Sequence, residues 1–400
     1  MRFRLQWPFL WDAPKGVPYP LPQTMNTTLQ TPVRLIASPG AWIEGEAVRQ
    51  LYGCARLDGV RHAVGFPDLH PGKGVPVGAA FVTEGVIYPH LIGGDIGCGM
   101  TLWQTDLPLR KAKVDQWTKL PFNLEPPWDG NLGGWLQDNR LASSPFDGSM
   151  GTLGGGNHFA ELQAVEEICD GDEFTSIGLR KADLVLLVHS GSRDYGESIF
   201  RTHVAEHSAD GVDPESAAGA TYLAQHNLAL RWARANRELV VRRFLDALGA
   251  DGQSVWDGCH NSILPVEADS RTAWIHRKGA VPADAGPVVI PGSRGTLSYL
   301  VKPIGDGESH GFSLAHGAGR KWARSEARLR VRERFRVPEL VRTSLGSRVI
   351  CEDRDLLYEE APMAYKPVES VIEALVNAGL IRVIATLRPV LTYKTRGLRK

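Results

Sequence analysis

Several features that define familiar protein classes are missing from this 400-residue chain. Its five cysteines are odd in number and widely spaced, and none forms a CxxC pair. This pattern argues against a disulfide framework and favours a reducing compartment such as the cytoplasm. No apolar run approaches the roughly 18 residues that a membrane span needs. The initial run MRFRLQWPFLW is short and broken by Pro8, so we expect no cleaved signal and no membrane association.

Net charge is also missing, because 45 Lys and Arg residues balance 45 Asp and Glu residues. No global field therefore draws the chain to nucleic acid, and any RNA-binding surface must be local. One candidate is Arg320 to Arg342, where a solvated helix face is the equally weighted alternative. The other candidate is the last 20 residues, which contain no acid and carry Arg382, Arg388, Lys394, Arg396, Arg399 and Lys400.

Known nucleotide-binding signatures are absent too. No GxxxxGK[ST] occurs, and no GxGxxG follows a predicted strand and opens a helix. A bound nucleotide would therefore be held by an unrelated scheme. The chain also lacks an internal repeat or a linker that would divide it, so we expect a single domain spanning residues 1–400.

Strand patterns occur in four places. Short apolar runs alternate with glycine turns from Pro32 to Met100, which predicts several short strands with functional loops between them. The run LVLLV at 184–188 predicts a strand that leads directly into HSGSR. Weaker strand patterns cover Thr272 to Ile275 and Pro287 to Ile290.

Helical periodicity is clearest from Ala217 to Leu248, with Gly249 as a stop signal. Val368 to Ala378 is typical of a short amphipathic helix. Leu107 to Met150, rich in Pro, Trp, Gly and Asp, predicts loops with one short helix. Together these patterns indicate a mixed α+β fold.

The segment GGDIGCGM carries the first chemical signal. It places Asp95 and Cys98 three residues apart between glycines, so both side chains can converge while the backbone turns tightly. A hard oxygen beside a soft sulfur suits a borderline divalent cation and can bridge two of them. A buried cysteine beside a turn-capping aspartate is the alternative.

Four histidines strengthen the metal interpretation, because each lies in a loop or at a strand end, and most have glycine or serine neighbours: His158, His189, His260 and His316. Imidazole is the commonest partner of such metals. A structural role is expected for most of the others, namely His62, His90, His203, His207, His226 and His276, while His70 and His310 stay open.

Glycine-containing loops beside these histidines suit anions. GSRG at 292–295, GAGR at 317–320, HPGKG at 70–74 and SGSR at 190–193 combine exposed backbone N–H groups with a hydroxyl or a cation. Such loops can cradle phosphate.

The ordered series GGDIGCGM, GGGNHFAEL, VHSGSRDYG, HN, HRKGA, PGSRGTLSY, HGAGR and TLRPVLTYK resembles the motifs of the RtcB RNA-splicing ligases. The resemblance covers about 32–394 and leaves 1–31 as an N-terminal extension. It implies one large α+β domain whose β-sheets and surrounding helices enclose a central metal-lined cleft.

The resemblance also implies site residues. Two Mn²⁺ ions would share Cys98, one also bound by Asp95 and His158, the other by His189 and His260. His316 corresponds to the guanylylated histidine, and Arg193 to a phosphate-binding arginine. The implied guanylate contacts are Asn157, Glu161, Asn261, Ser293, Ser298, Ala318, Gly319 and Lys394.

The implied reaction is GTP-dependent joining of an RNA 3′-phosphate, or a 2′,3′-cyclic phosphate, to a 5′-hydroxyl through a histidine-guanylate. The resemblance also allows an activating protein partner, and it leaves open which RNA is joined. Two alternatives keep the metal site or the scaffold alone: a metal-dependent RNA phosphoesterase or cyclic phosphodiesterase that does not ligate, and a non-catalytic RNA-binding protein.

The chain departs from the commoner family sequence at Gly94 and Arg294, and in the SIL that follows Asn261. Arg294 adds a cation to a phosphate loop, so nucleotide selectivity or RNA contacts could change. The segment after Lys394 leaves open whether Lys394 or Lys400 reaches the nucleotide.

Overall fold

The structure of the protein is a computed structural model that describes residues 31–268 and 271–397. The expectations for residues 1–30, and for Arg399 and Lys400, fall outside these ranges. Within them the chain forms three β-sheets with helices packed around them, so the predicted α+β class is confirmed.

Fifteen strands are described, and their lengths vary from three residues to fifteen. Numbered in chain order, β1 to β15 span Val33–Leu35, Val60–His70, Val77–Glu84, Gly99–Pro108, Phe159–Ile168, Asp183–Ser190, Gly252–Cys259, Asn261–Ala268, Arg271–Lys278, Ala280–Pro282, Val288–Ile290, Ser298–Pro303, Ser313–Ala315, Arg348–Cys351 and Ile381–Thr395.

Eleven α-helices are described, most of them short. In chain order, α1 to α11 span Gly45–Cys54, Pro89–Ile92, Val114–Trp117, Leu132–Asp138, Gly171–Ser176, Asp194–His207, Ala217–Leu248, Arg324–Arg334, Val337–Val341, Arg354–Glu359 and Val368–Asn377. Four single 3-10 turns cover Leu109–Lys111, Asp147–Ser149, Glu308–His310 and Pro362–Ala364.

The largest sheet, which we call the main sheet, has eight strands in the order β11-β12-β15-β5-β6-β4-β7, with β14 paired to β15. A second sheet has five strands in the order β1-β2-β3-β9-β8, and β10 pairs with β13. Nearly all neighbours are antiparallel; β1 with β2 and β14 with β15 are parallel. One apolar cluster contains side chains of both larger sheets, including Phe66 and Val301, and of α11.

The long helix α7 covers one face of the main sheet. Ser216 caps its start by accepting from the Gly219 N–H at 3.1 Å, and Gly249 ends it with φ 62°, a conformation that favours glycine. Val240, Phe244 and Leu245 are buried in the cluster that also contains strand residues of β4, β5 and β6. Its predicted bounds, and the strand at 184–188, are confirmed.

The predicted strands at 272–275 and 287–290 and the helix at 368–378 are confirmed to within a few residues. The prediction for 107–150 was wrong in one respect, because the segment contains two short helices, α3 and α4. The Asn131 side chain caps α4 by accepting from the Gly134 N–H, and the sequence prediction did not take this capping residue into account. Helix α1 was likewise not predicted. None of the described helices is long and apolar enough to cross a membrane.

Candidate active site

Four neighbouring strands bring the predicted metal ligands together. In the order β5-β6-β4-β7 every strand runs antiparallel to the next, so the start of one lies beside the end of its neighbour. His158 immediately precedes β5, His189 lies near the end of β6, Cys98 precedes β4 and His260 follows β7. All four residues therefore lie at the same end of the main sheet.

The ligand atoms converge closely at this end. Cys98 Sγ lies 3.4 Å from His158 Nε2 and 3.2 Å from His189 Nε2, and His189 Nε2 lies 3.3 Å from His260 Nε2. Asp95 Oδ2 is 3.8 Å from His158 Nε2. The backbone reinforces the arrangement, because the His260 N–H donates to the Cys98 carbonyl at 2.8 Å. The predicted convergence of a thiol, a carboxylate and three imidazoles is thus present.

These distances fit a metal centre. Ligands bound at about 2.0–2.3 Å to one tetrahedral ion lie roughly 3.3–3.8 Å from each other. The atoms of Cys98, His158 and His189 all lie within 4.8 Å of one another. Gly191 is needed for the approach, since a Cβ there would come within 2.6 Å of Asp95 Oδ1.

The protonation states also suit ligation. Burial lowers the pKa of His158 to about 4 and holds the pKa values of His189 and His260 well below the usual range. These imidazoles are therefore neutral, as a metal ligand must be. His158 directs Nδ1 at the Leu153 carbonyl at 3.1 Å, which leaves Nε2 for the centre. Burial raises the pKa of the Cys98 thiol well above its usual range, and a bound cation would favour the thiolate.

His316 lies beside this cluster, with its ring centroid 4.7 Å from that of His260. Its Nδ1 donates to Asp68 Oδ2 at 2.7 Å, and its backbone N–H donates to the same oxygen at 3.3 Å. Asp68 is fully buried at the end of β2. Since a carboxylate only accepts, Nδ1 carries a proton, and in the neutral ring the lone pair is then on Nε2.

A cavity of about 250 Å³ adjoins His189 and His316. This volume lies just below the range of small-molecule sites, roughly 300–1,000 Å³. The predicted residues that line it are Asn157, Glu161, His189, Ser293, His316, Ala318, Gly319 and Lys394. His70 and Arg320, from the predicted phosphate loops HPGKG and GAGR, and Arg324, from the candidate basic stretch 320–342, also line it. The residues that we did not predict there include Glu360, Tyr365 and Thr392.

One wall of the cavity combines an acid with a base. Burial raises the pKa of Glu161 to about 7, although Thr392 and Gln163 both donate to its carboxylate. Burial also lowers the pKa of Lys394 to about 8. Lys394 Nζ donates to the Gly156 carbonyl at 2.7 Å, so its ammonium sits at the cavity edge. This wall can both accept from and donate to a ligand.

A second part of the cavity lining, which we call the arginine wall, consists of Arg294, Arg320, Arg324, Glu360 and Tyr365. Glu360 accepts from Arg320 at 2.9 Å, from Arg324 at 3.4 Å and from the Tyr365 hydroxyl. Burial alone would raise the pKa of Glu360, but Lys394 and the arginines lower it overall. Arg294 is buried and donates from Nη2 to the Leu357 carbonyl, while its Nε and Nη1 have no partner among the described residues.

Three of the residues predicted to contact guanylate or phosphate do not line the cavity. Ser298 lies behind Glu161, where its hydroxyl accepts from Gln163 at 2.9 Å. Asn261 joins two loops, because its amide donates to the Asp95 carbonyl at 3.1 Å and accepts from the Gly279 N–H at 2.9 Å. Arg193 immediately precedes α6 and has φ 57°, a strained conformation for a non-glycine residue. Its guanidinium points at Gly154.

Two of the histidines expected to be structural accept hydrogen bonds from backbone N–H groups of other segments. His276 Nε2 accepts from the Tyr88 N–H at 2.8 Å, and His226 Nε2 accepts from the Ile263 N–H at 3.0 Å. His310 is buried and directs Nδ1 at the Ser313 carbonyl. His70 lies differently, because it lines the cavity close to Asp68.

Several residues of each of the two basic stretches pair with acids in the structure. Arg382 contacts Asp170, Arg388 contacts Glu166, and Arg396 contacts Glu352. In the stretch from Arg320 to Arg342, Arg328 contacts Asp355 and Arg330 contacts Glu326. These exposed pairs are typical of a solvated helix face. Arg320, Arg324 and Lys394 are the members that reach the cavity.

Comparison with known proteins extends these observations. The family model described as tRNA-splicing ligase RtcB matches residues 50–126 and 137–395. The chain is 47% identical over 375 residues to RNA-splicing ligase RtcB2 of Escherichia coli strain ATCC 25922, covering 93% of this chain and 98% of that protein. It is 31% identical over 432 residues to RNA-splicing ligase RtcB of Mycobacterium bovis, covering 85% of this chain and 98% of that protein.

Proposed function

The chain belongs to the RtcB family and is an RNA ligase, and we propose that it joins an RNA 3′-phosphate or 2′,3′-cyclic phosphate end to a 5′-hydroxyl end with GTP and Mn²⁺. The observation that carries the proposal is the position of His316, which lies between a thiol-imidazole cluster and a cavity lined by basic side chains.

Two metal ions would be held by this chain's own ligands. Asp95, Cys98 and His158 form one set, and Cys98, His189 and His260 form the other. The buried thiol, which contacts imidazoles on both sides, supports a bridging role for Cys98. When bound, the metals would neutralise phosphate charge at the reacting phosphorus.

His316 is suited to attack phosphorus. The hydrogen bond from Nδ1 to Asp68 fixes the ring and leaves the Nε2 lone pair available. In the proposed first step Nε2 bonds to the α-phosphorus of GTP, the bond to the bridging oxygen breaks, and pyrophosphate leaves. Asp68 stabilises the positive charge that the ring gains, as a carboxylate behind a catalytic histidine does.

The side chains that line the cavity favour a guanine nucleotide as its ligand. A carboxylate such as Glu161 can accept from guanine N–H groups, and the Lys394 ammonium can donate to guanine O6. Ser293, Ala318 and Gly319 expose backbone and hydroxyl groups near His316 where phosphate would lie. The contacts proposed for Asn157, Asn261 and Ser298 complete this site, the last acting through Gln163.

In the following steps the guanylate passes from His316 to the RNA 3′-phosphate, and the 5′-hydroxyl of the other RNA then displaces GMP to form the phosphodiester. Arg193, held in a strained turn beside the centre, would contact an RNA phosphate. The enzyme would act in RNA splicing or repair in the cytoplasm. The five free cysteines support that location. An activating protein partner is compatible with this scheme.

Ligation of RNAs with defined ends tests the proposal. We expect joining of a 3′-phosphate end to a 5′-hydroxyl end in the presence of GTP and Mn²⁺. A matched pair with a 3′-hydroxyl and a 5′-phosphate should not be joined. Joining of the second pair alone, or hydrolysis of the 3′-phosphate without joining, would contradict the proposed reaction.

A further inference from the structure

Two adjacent buried residues of helix α7 contact the segments that hold the proposed metal ligands. Asn236 is 0% exposed and Arg237 is 1% exposed, although both are polar. Neither binds substrate in the proposed reaction. Burying an amide and a guanidinium is costly unless every polar group finds a partner, so their partners indicate what they do.

Arg237 links three of the ligand segments. Its Nη1 donates to the Gly97 carbonyl at 2.8 Å, one residue before Cys98, and to the Ser190 carbonyl at 3.3 Å, one residue after His189. Its Nε and Nη2 donate to the two oxygens of Asp257 at 2.9 and 2.7 Å. Asp257 lies on β7, three residues before His260.

Asn236 links the remaining segment to the same strand end. Its Nδ2 donates to Ser190 Oγ at 3.1 Å, to the Gly191 carbonyl at 3.0 Å and to the Thr152 carbonyl at 3.3 Å. Its Oδ1 accepts from the Gly151 N–H at 2.7 Å. Ser190 Oγ in turn donates to the Leu153 carbonyl, which is also the acceptor of His158 Nδ1.

The helix also approaches the ligand loop very closely. Gly97 has φ 77°, and a Cβ there would lie 2.7 Å from Ala233 Cβ on α7. The loop therefore has no room to move toward the helix. An apolar side chain in place of Asn236 or Arg237 could fill the same space but could not donate to the backbone carbonyls of the ligand segments. The two polar side chains therefore fix positions that packing alone does not fix.

We propose that Asn236 and Arg237 are positioning residues that set the relative placement of the four segments carrying Cys98, His158, His189 and His260. The inference rests on the proposed metal centre. The contacts act on backbone and side-chain groups that lie one to seven residues from a proposed ligand, so losing them would let the ligand atoms separate. Outer contacts of this kind typically change metal affinity by about 10-fold to 100-fold.

Binding of Co²⁺ to the metal-free full-length protein tests this inference. Co²⁺ is a spectroscopic probe whose thiolate charge-transfer absorption reports on Cys98. We expect Asn236→Leu and Arg237→Met to bind Co²⁺ about 10-fold to 100-fold more weakly, with a weaker thiolate band. Glu238→Gln is the matched control, because Glu238 lies on the same helix but pairs with Arg242 at the surface.

Two further measurements keep the result interpretable. Urea unfolding identifies variants that are merely unstable, and the milder Asn236→Ser and Arg237→Lys replace any variant that does not fold. Wild-type affinity and an unchanged thiolate band in a folded variant that has lost these contacts would overturn the inference. If wild-type protein itself showed no thiolate band, the proposed metal centre would fail, a separate outcome.

Discussion

The end of the main sheet that carries the proposed metal ligands and the arginine wall face the same cavity but are built in different ways. At the sheet end, strand register places the ligands, and His189 lies opposite both Met100 and Phe159 in neighbouring strands. In the arginine wall, side chains hold each other, and Glu360 accepts from Arg320, from Arg324 and from Tyr365. Backbone ladders, together with the contacts of Asn236 and Arg237 on α7, thus position the proposed ligands, whereas ion pairs position the wall.

This difference implies different sensitivities. A substitution at the sheet end should remove chemistry while the ladders preserve the fold. A substitution in the arginine wall should first cost stability, since a buried charge that loses its partner is expensive. The predictions below separate these two outcomes.

The largest effect is expected for Cys98→Ala. Because Cys98 is the proposed bridge, the variant should hold fewer than two Mn²⁺ per chain and ligate at least about 10³-fold more slowly. Metal analysis after gel filtration, together with ligation rates, measures both quantities. Cys169→Ala is the control, since Cys169 is an exposed free cysteine. Two metals per chain in Cys98→Ala would rule out the bridging role.

Asp68→Asn should have the next largest effect. The amide removes the negative charge that stabilises the His316 ring during attack, so guanylylation should slow by about 10²-fold to 10³-fold. Metal content should stay unchanged. The rate is measured in single turnovers with labelled GTP, and Asp58→Asn, at an exposed position, serves as the control. A wild-type rate in Asp68→Asn would show that His316 does not depend on this carboxylate.

Glu360→Gln tests the arginine wall. Removing this buried charge leaves Arg320 and Arg324 without their shared acid, so the free energy of unfolding should fall by about 3 kcal/mol. Urea denaturation measures the change. The neighbouring Glu359→Gln should cost less than about 1 kcal/mol, because Glu359 contacts the half-exposed Arg328 at 3.7 Å. Equal losses in the two variants would remove the distinction between the two regions.

A smaller effect is expected for the buried histidine His276, which lies outside the proposed metal centre. Burial lowers the pKa of His276 to about 3, against 6.5 in the unfolded chain. Because the neutral ring is favoured in the folded state, its contribution to stability is present above the unfolded pKa of 6.5 and is lost as the pH falls toward 3. The stability lost by pH 5 is about 2 kcal/mol. We expect metal-free His276→Gln to lose about 2 kcal/mol less than wild type between pH 7.5 and 5. Identical losses would contradict the assigned pKa.

The sequence predicted the sheet end better than the arginine wall, for a physical reason. Asp95, Cys98 and the three histidines proposed as ligands stand in short motifs with glycine or serine neighbours, and strand pairing brings such motifs together. Asp68 was missed although the HPGKG loop beside it was noticed, because its partner His316 is 248 residues away.

Glu360 and Thr392 carried no local signal, since their roles depend on partners in distant segments. The long helix α7 was predicted accurately because its periodicity and Gly249 stop are local. Its contribution to the ligand segments through Asn236 and Arg237 became visible only in the structure. The short helices between 107 and 150 were underestimated because loop-like composition outweighed a single capping residue.

The most direct test of the central claim is incubation of the protein with α-labelled GTP and Mn²⁺, followed by isolation of the protein. The account predicts an acid-labile guanylate adduct that is present in wild type and absent in His316→Ala, with unchanged metal content in that variant. A normal adduct in His316→Ala, or no adduct in an active wild-type protein, would contradict it.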